Sequence, residues 1–488
     1  MAEPQYWRGS WSIAVEPETV RQGVLHRDEE DRFRLELVGG FDIEVREPLP
    51  DGRGWAVKSE SRTVEMIHGT AEGHLFTVLV PQAIHTTGFI ENITAQSWSS
   101  NRVLKGIHLA RLDEPVFTRA HLQLNYLLQW SNRTTLSLII PMQDGKQGGE
   151  LEVHRQPEIV MTAQHEQMQC GLRIRSHEFN VERRPAAGTT TIQTTEWAVL
   201  DIDPPSALPY DAFDTINRDL QDLLTFCAYV PAASQDQSLM YNASAAHLGH
   251  TEFPNEVKVM GRQIYCGTPP VPETPFHNYL FTLDALDFSE LIPRWLGLKE
   301  KARLGCNILF GLRYISEGYV GNRLLGIATA AESIHRALRP TKTPLTPQQF
   351  KTLKQKLRDA IMDDPDDNVR AFVNNGLHNN PTYRERLLDL ADIPQSAVVD
   401  KLLTDRERWA MMLKRSRNDL AHANERSTAN ADTSAAFWLL EITYALLHLV
   451  LMAELGLDGE AQRRALEHPK ISWARTQFQN VLDGSMSE

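Results

Sequence analysis

DRERWAMMLKRSRNDLAHANE, residues Asp405 to Glu425, is the stretch from which the rest of the chain can be read. Trp409, Met412, Leu413 and Leu420 recur at mostly three- and four-residue spacing, the period of one apolar helix face. Lys414, Arg415 and Arg417 crowd its final turns, and Arg417-Asn418 is followed after Asp419, Leu420 and Ala421 by His422. A breaker-rich segment, 424–434, then leads into a very apolar helix, Ala435 to Leu455. A guanidinium and a titratable imidazole at the end of a helix, beside a buried helix, are suited to acid–base chemistry on a phosphodiester.

Spacing alone is not diagnostic. The same arginine-to-histidine interval occurs at Arg21/His26, in a loop-like approach to a strand, and at Arg463/His468, in an exposed-looking terminal segment. Only Arg417 is followed directly by a polar amide inside a helical-bundle pattern. Residues five apart on an ideal helix differ by roughly 140° around its axis, so Arg417 and His422 do not aim at one phosphate from an unbroken helix. Either the helix ends at Leu420 or Ala421 and His422 swings round, or two copies meet at a twofold axis. Arg415 shares the face of His422 and competes with Arg417 for the role.

The Arg417-Asn418 to His422 pattern resembles the motif of the HEPN superfamily of helical ribonucleases, over roughly 302–456. Residues 322–338, NRLLGIATAAESIHRAL, with Glu332, His335 and Arg336, are similar to the first long helix of the ApeA-like HEPN subgroup. Gly9-Ser10-Trp11, Gly23-Val24-Leu25, Leu35-Glu36-Leu37 and Ile67-His68-Gly69 resemble the ApeA N-terminal domain. The resemblance implies a C-terminal all-α HEPN bundle, a homodimer with the motif at its axis, and an anti-phage abortive-infection ribonuclease. It implies RNA substrates such as tRNA, and a phage-derived trigger sensed by the N-terminal domain. Within it, Arg417, Asn418 and His422 are the catalytic candidates, and Lys414 and Arg415 the substrate-binding ones.

Bulk properties fit a multidomain globular chain. Its 488 residues are 42% hydrophobic and 23% charged, enough for two or three cores. The net charge of -13 argues against indiscriminate coating of nucleic acid, but leaves room for local basic sites at Lys414–Arg417 and at Lys351, Lys354, Lys356 and Arg358. Cys170, Cys227, Cys266 and Cys306 lie far apart with no CxxC, so neither zinc site nor disulfide framework is expected. MAEPQYWRGS carries no signal-peptide core, and the cytoplasm is the expected compartment.

Along the chain, an α+β multidomain architecture is expected. Residues 1–204 alternate in short runs, such as 32–38, 134–140, 171–181 and 189–202, and read as an antiparallel β-rich sandwich or barrel-like sensing domain. Pro204-Pro205 opens a mixed connecting region, 205–290, with a helix stripe of Phe213, Ile216, Leu220, Leu223 and Leu224. A strand pair is expected in it at Glu256–Met260 and Gln263–Cys266. Residues 291–460 read as the helical ribonuclease domain and 461–488 as a tail or helix. Phe437 to Met452 is apolar, but at 16 residues, with Glu441 and His448 inside, it falls short of a membrane span. Phe437, Trp438, Leu440, Tyr444, Leu447 and Leu451 cover more than one face, which suggests that a second copy hides part of them.

The chemistry follows from the residue types. RNA carries its own nucleophile, the 2′-OH, so cleavage needs proton transfer and charge stabilisation but no metal or cofactor. His422 would move the proton, Arg417 would offer paired donors to the phosphate oxygens, and Asn418 would orient either. Glu332, a possible auxiliary, either approaches His422 and tunes it or pairs locally with Arg336 four residues on. Two other classes compete: a non-catalytic HEPN scaffold that binds RNA or protein, and a nucleotide-binding regulator, against which the lack of a phosphate-cradling glycine loop counts.

Overall fold

The computed structural model describes residues 5–48, 55–89, 92–139, 142–143, 146–147, 152–184, 189–242, 254–261, 278–315, 318–340, 342–362, 366–421 and 433–484. Two compact units divide the chain, Met1–Pro293 and Arg294–Glu488. In the first, one sheet collects 14 strands among the described residues. Their order is Ile159–His165, Met168–Ser176, Glu196–Asp203, Phe117–Leu124, Ser234–Asn242, Pro254–Met260, Arg102–Lys105, His74–Leu79, Met66–Ala71, Gln5–Ile13, Arg21–Arg27, Phe33–Val38, Asn92–Ser100 and Gln82–Phe89. Every neighbouring pair is antiparallel. The β-rich antiparallel architecture expected of this region is present, in the form of one open sheet.

The four sequence fragments singled out near the N-terminus fall on four neighbouring strands of that sheet, which explains why they belong together. Phe33–Val38 alternates strictly, with Phe33, Leu35 and Leu37 inside and Arg34, Glu36 and Val38 outside. Gly9 pairs with Gly23, and Trp11 pairs with Gly69. Trp11 is fully buried, and its ring occupies the space where a Cβ on Gly69 would stand. Glycine is required there because the indole uses that volume. Trp7, Phe33, Phe76 and Trp98 complete the same core.

Residues 205–290, expected as a connector, build into the first unit instead. Ser234–Asn242 and Pro254–Met260 sit in the middle of the sheet. Glu256 to Met260 is indeed a strand, pairing with Ser234–Asn242 and Arg102–Lys105, while Gln263–Cys266 lies outside the described residues. Helix α1 (Leu127–Ser131) precedes α2 (Tyr210–Ala228), which buries Phe213, Leu220, Leu223 and Leu224 and packs against Phe117–Leu124. Cys170, Cys227 and Cys306 are buried, and Cys266 lies outside the described residues.

The second unit is helical. The boundary between units falls in α3 (Phe288–Tyr314), which is kinked at Ala302. There follow α4 (Val320–Leu338), α5 (Pro347–Ala360), α6 (Asp367–Gly376), α7 (Tyr383–Ala391), α8 (Ser396–Leu403), α9 (Arg406–Ala421), α10 (Thr433–Glu454), α11 (Gly459–Ala465) and α12 (Pro469–Asp483). Thr346 and Thr382 start α5 and α7 with capping boxes to Gln349 and Glu385. Helices α8 and α9 are separate because Thr404 adopts φ 61° and breaks the hydrogen-bond ladder between them.

Helix α10 is the core of the bundle, with α4, α7, α8, α9, α11 and α12 packed on it. Trp438 to Met452 is buried except for Glu441. This corrects the expectation that its apolar faces call for a second copy: neighbours within the one chain cover them. The helix has 22 residues and is long and apolar enough to cross a membrane by length and composition, yet most of it is enclosed by protein. The terminal segment is also better packed than its sequence suggests. Ile471, Ala474, Phe478 and Leu482 of α12 are buried. His468, expected to be exposed, is 5% exposed and caps α12 by accepting the Lys470 N–H at 3.2 Å.

Candidate active site

Helix α9 is placed by its apolar face. Trp409, Ala410 and Leu413 are buried, and the Trp409 indole N–H donates to Thr443 Oγ1 of α10 at 3.0 Å. Thr443 in turn donates to the Leu439 carbonyl at 2.7 Å. Met412 and Leu420 are half-buried. Leu420 approaches the first turn of α4 at Gly321, where a Cβ would stand 3.1 Å from Leu420 Cδ2. The helix is continuous through Ala421. His422 and the segment 422–432 lie outside the described residues.

Arg417 projects back along α9 toward α4, as helical side chains lean toward the N-terminus. Its Nη2 is 3.6 Å from Glu332 Oε2, and its Nη1 donates to Asn418 Oδ1 at 3.3 Å. The guanidinium carbon lies 5.3 Å from the centroid of the Tyr383 ring of α7. Glu332 also accepts from Arg336 Nη2 at 2.7 Å, so the local pair weighed for it is present, while its approach to His422 lies outside the described residues. Arg417 is 37% exposed and Glu332 22%. Arg415 is exposed and Lys414 half-buried, and neither has an ion pair among the described residues. Of the two competing arginines, Arg417 is therefore the one tied into the bundle.

Behind this pair lies a polar layer that the sequence reading did not assemble. The half-buried Tyr383 hydroxyl donates to the Ala328 carbonyl at 3.0 Å. Burial pushes the phenol pKa up, nearby Glu332 adds to this and Arg417 opposes it, so the ring stays neutral beneath the guanidinium. His335 is fully buried: Arg386 Nη1 donates to its Nδ1 at 3.2 Å, which leaves Nε2–H to donate to Asp389 Oδ2 at 3.0 Å. Burial lowers the His335 pKa against the pull of Asp389. For Asp389, burial raises the carboxyl pKa, but hydrogen bonds from Lys342 and His335 outweigh it and hold the group below the usual range. Tyr383, Arg386 and Asp389 stand at three-residue intervals on α7, facing Glu332 and His335 three apart on α4. That matched polar spacing was the available signal.

A second charged group sits on the other side of α4. Glu441 of α10 lies 2.9 Å from Arg313 and 3.8 Å from Arg323, and the Arg313 guanidinium carbon is 3.7 Å from the Tyr444 ring centroid. These side chains are largely buried and join α3, α4 and α10.

The family model described as ApeA N-terminal domain 1 matches residues 6–295, more than half of the chain, and the one described as Apea-like HEPN matches residues 325–461. No curated protein and no solved structure gives a significant match.

Proposed function

The chain belongs to the ApeA family of HEPN proteins, and from that premise we propose that it is a metal-independent endoribonuclease of anti-phage defence. The observation that carries the reading is the state of Arg417. Its guanidinium is oriented from three sides by Glu332, Asn418 and Tyr383, yet remains more than one-third exposed at the end of the helix that leads to His422. A cation fixed in orientation and still open to solvent can meet developing charge on a phosphate without reorganising.

In this reading His422 transfers the 2′-OH proton, Arg417 binds the phosphate oxygens, Asn418 orients one of them, and Lys414 and Arg415 hold the flanking backbone. The products are a 2′,3′-cyclic phosphate or its hydrolysis product, and a 5′-hydroxyl. Transfer RNA is the proposed substrate class, and the first unit is the proposed sensor of a phage-derived trigger. The roughly 140° offset between positions 417 and 422 favours a site shared by two copies that meet at the ends of α9. Because α10 is covered within one chain, the contact is assigned to α9 and the residues after it.

The test is incubation of the purified chain with total tRNA in excess chelator, followed by end-labelling of the fragments. Cleavage that persists and leaves 5′-hydroxyl ends is the expected result. Fragments with 5′-phosphates would instead require a metal-activated water. RNA binding without any cleavage would make the chain a scaffold.

A further inference from the structure

Between α4 and α7 the chain leaves the bundle as a helical hairpin, α5 and α6, whose base is closed by a reciprocal clamp. The Leu345 N–H donates to Asn379 Oδ1 at 3.0 Å, and Asn379 Nδ2 donates to the Leu345 carbonyl at 2.7 Å. The two helices are capped, α5 by Thr346 with Gln349 and α6 by Asp366. No residue of α5 is buried. Helices this short are marginal without a packed face, and here the apolar residues stay open: Leu353 is 41% exposed, Met362 69%, Val369 38% and Phe372 77%.

The charge on α5, unlike that of the hairpin as a whole, runs against the charge of the chain. The protein carries a net charge of -13, whereas α5 holds Lys351, Lys354, Lys356 and Arg358 against the single carboxylate of Asp359. On a helix, positions 351, 354 and 358 fall within about 60° of one another. They lie on one flank of the stripe formed by Phe350, Leu353, Leu357 and Ile361, and Lys356, about 140° from Lys351, lies on the other flank. Lys351, Lys354 and Lys356 make no ion pair among the described residues. Cations on both flanks of exposed apolar and aromatic side chains make a surface that takes single-stranded nucleic acid, with phosphates on the lysines and a base against the ring.

We infer that the hairpin 346–377 is a substrate-gripping arm that binds a single-stranded segment of RNA through Lys351, Lys354 and Lys356, with Phe372 as a stacking platform. The inference rests on the proposed function for the choice of RNA as the polyanion. It gives the RNA a second foothold on the helical unit, through cations other than Lys414 and Arg415.

The full-length His422→Ala chain, silenced so that RNA is not consumed, is titrated against a fluorescein-labelled uridine 20-mer over a range of salt concentrations. Removing three phosphate-binding cations from a single-strand site should flatten the slope of log K against log salt by about 2, at about 0.7 per contact. Adding Lys351→Ala, Lys354→Ala and Lys356→Ala together should produce that change and weaken binding at least tenfold. Phe372→Ala should weaken binding several-fold with the slope unchanged. Melting temperature should not move, since no α5 side chain is buried. An unchanged slope in the triple variant overturns the arm. So does a triple variant that binds RNA normally but changes mass by light scattering, because the face would then join two copies. Arm-dependent binding by a wild-type chain that never cuts RNA would sink the nuclease reading and leave the arm standing. Normal cutting and normal binding by the triple variant with His422 restored would do the reverse.

Discussion

Glu332→Gln removes one negative charge and almost no volume, so it isolates what the carboxylate does for Arg417. At 3.6 Å an ion pair is worth at most about 4.6 kcal/mol with an effective dielectric of about 20. Both partners are partly exposed, Arg417 by 37% and Glu332 by 22%, and Glu332 divides its charge between Arg417 and Arg336, so solvent screening brings the figure down to about 1 kcal/mol. That is a factor of about five in the population of the held guanidinium. Single-turnover cleavage of a labelled RNA oligonucleotide, with enzyme in excess, should slow by about fivefold, while thermal stability falls by no more than about 1 kcal/mol. The residual rate should show less dependence on added salt, because the screened interaction is gone. A variant that cuts faster than wild type would refute the reasoning: Glu332 would then be competing with the phosphate for Arg417 instead of orienting it.

Three further outcomes are expected. Arg417→Ala and His422→Ala should each abolish RNA cleavage, with stability lowered by no more than about 1 kcal/mol, whereas Arg415→Ala should retain most activity; the opposite ranking of the two arginines in a cleavage assay would transfer the role to Arg415. Burial lowers His448 to a pKa of about 3 and His468 to about 4, while both return to about 6.5 when the chain unfolds. Only the unfolded state then binds protons as the pH falls below about 6.5, so stability should be complete above that pH. It should decline below it by up to about 1.4 kcal/mol per pH unit for each histidine. Urea midpoints at pH 7.5, 6 and 5 measure this, His448→Phe should shallow the decline, and a flat profile would contradict it. Trp409→Ala should cost about 3–5 kcal/mol in a denaturation experiment and take activity with it, because the indole is fully buried.

The elements with strong local chemistry were legible in the sequence. The alternation of residues 32–38 marks a strand, which the structure shows at Phe33–Val38. What escaped was set by tertiary context. Thr404 breaks a helix without being glycine or proline, so an apolar pattern that continues through it conceals the joint. The apolar excess of α10 pointed to a second copy because the number of neighbours around one helix is not written in that helix. His468 looked exposed in a charged terminal stretch, yet α12 folds back and buries it. At the candidate site, Arg417, Asn418 and Glu332 were singled out from their own segments, and the structure brings their side chains together. Tyr383, Arg386 and Asp389 were not, since their meaning depends on which helix lies opposite.

The hydrogen bond from Trp409 to Thr443 has a consequence for the rotational setting of the motif helix. Apolar side chains packed as ridges in grooves tolerate a small roll of one helix on another, because dispersion has no preferred bearing. An indole N–H does, and Thr443 is itself held by its bond to Leu439, so the acceptor cannot follow a rolling donor. The pair works as an index pin for the angular phase of α9. Arg417 lies eight residues beyond Trp409, and on so stiff a rod any roll at the tryptophan is delivered in full to the guanidinium. Thr443→Val would keep the bulk and remove the pin, leaving the helix in its groove with its bearing unset.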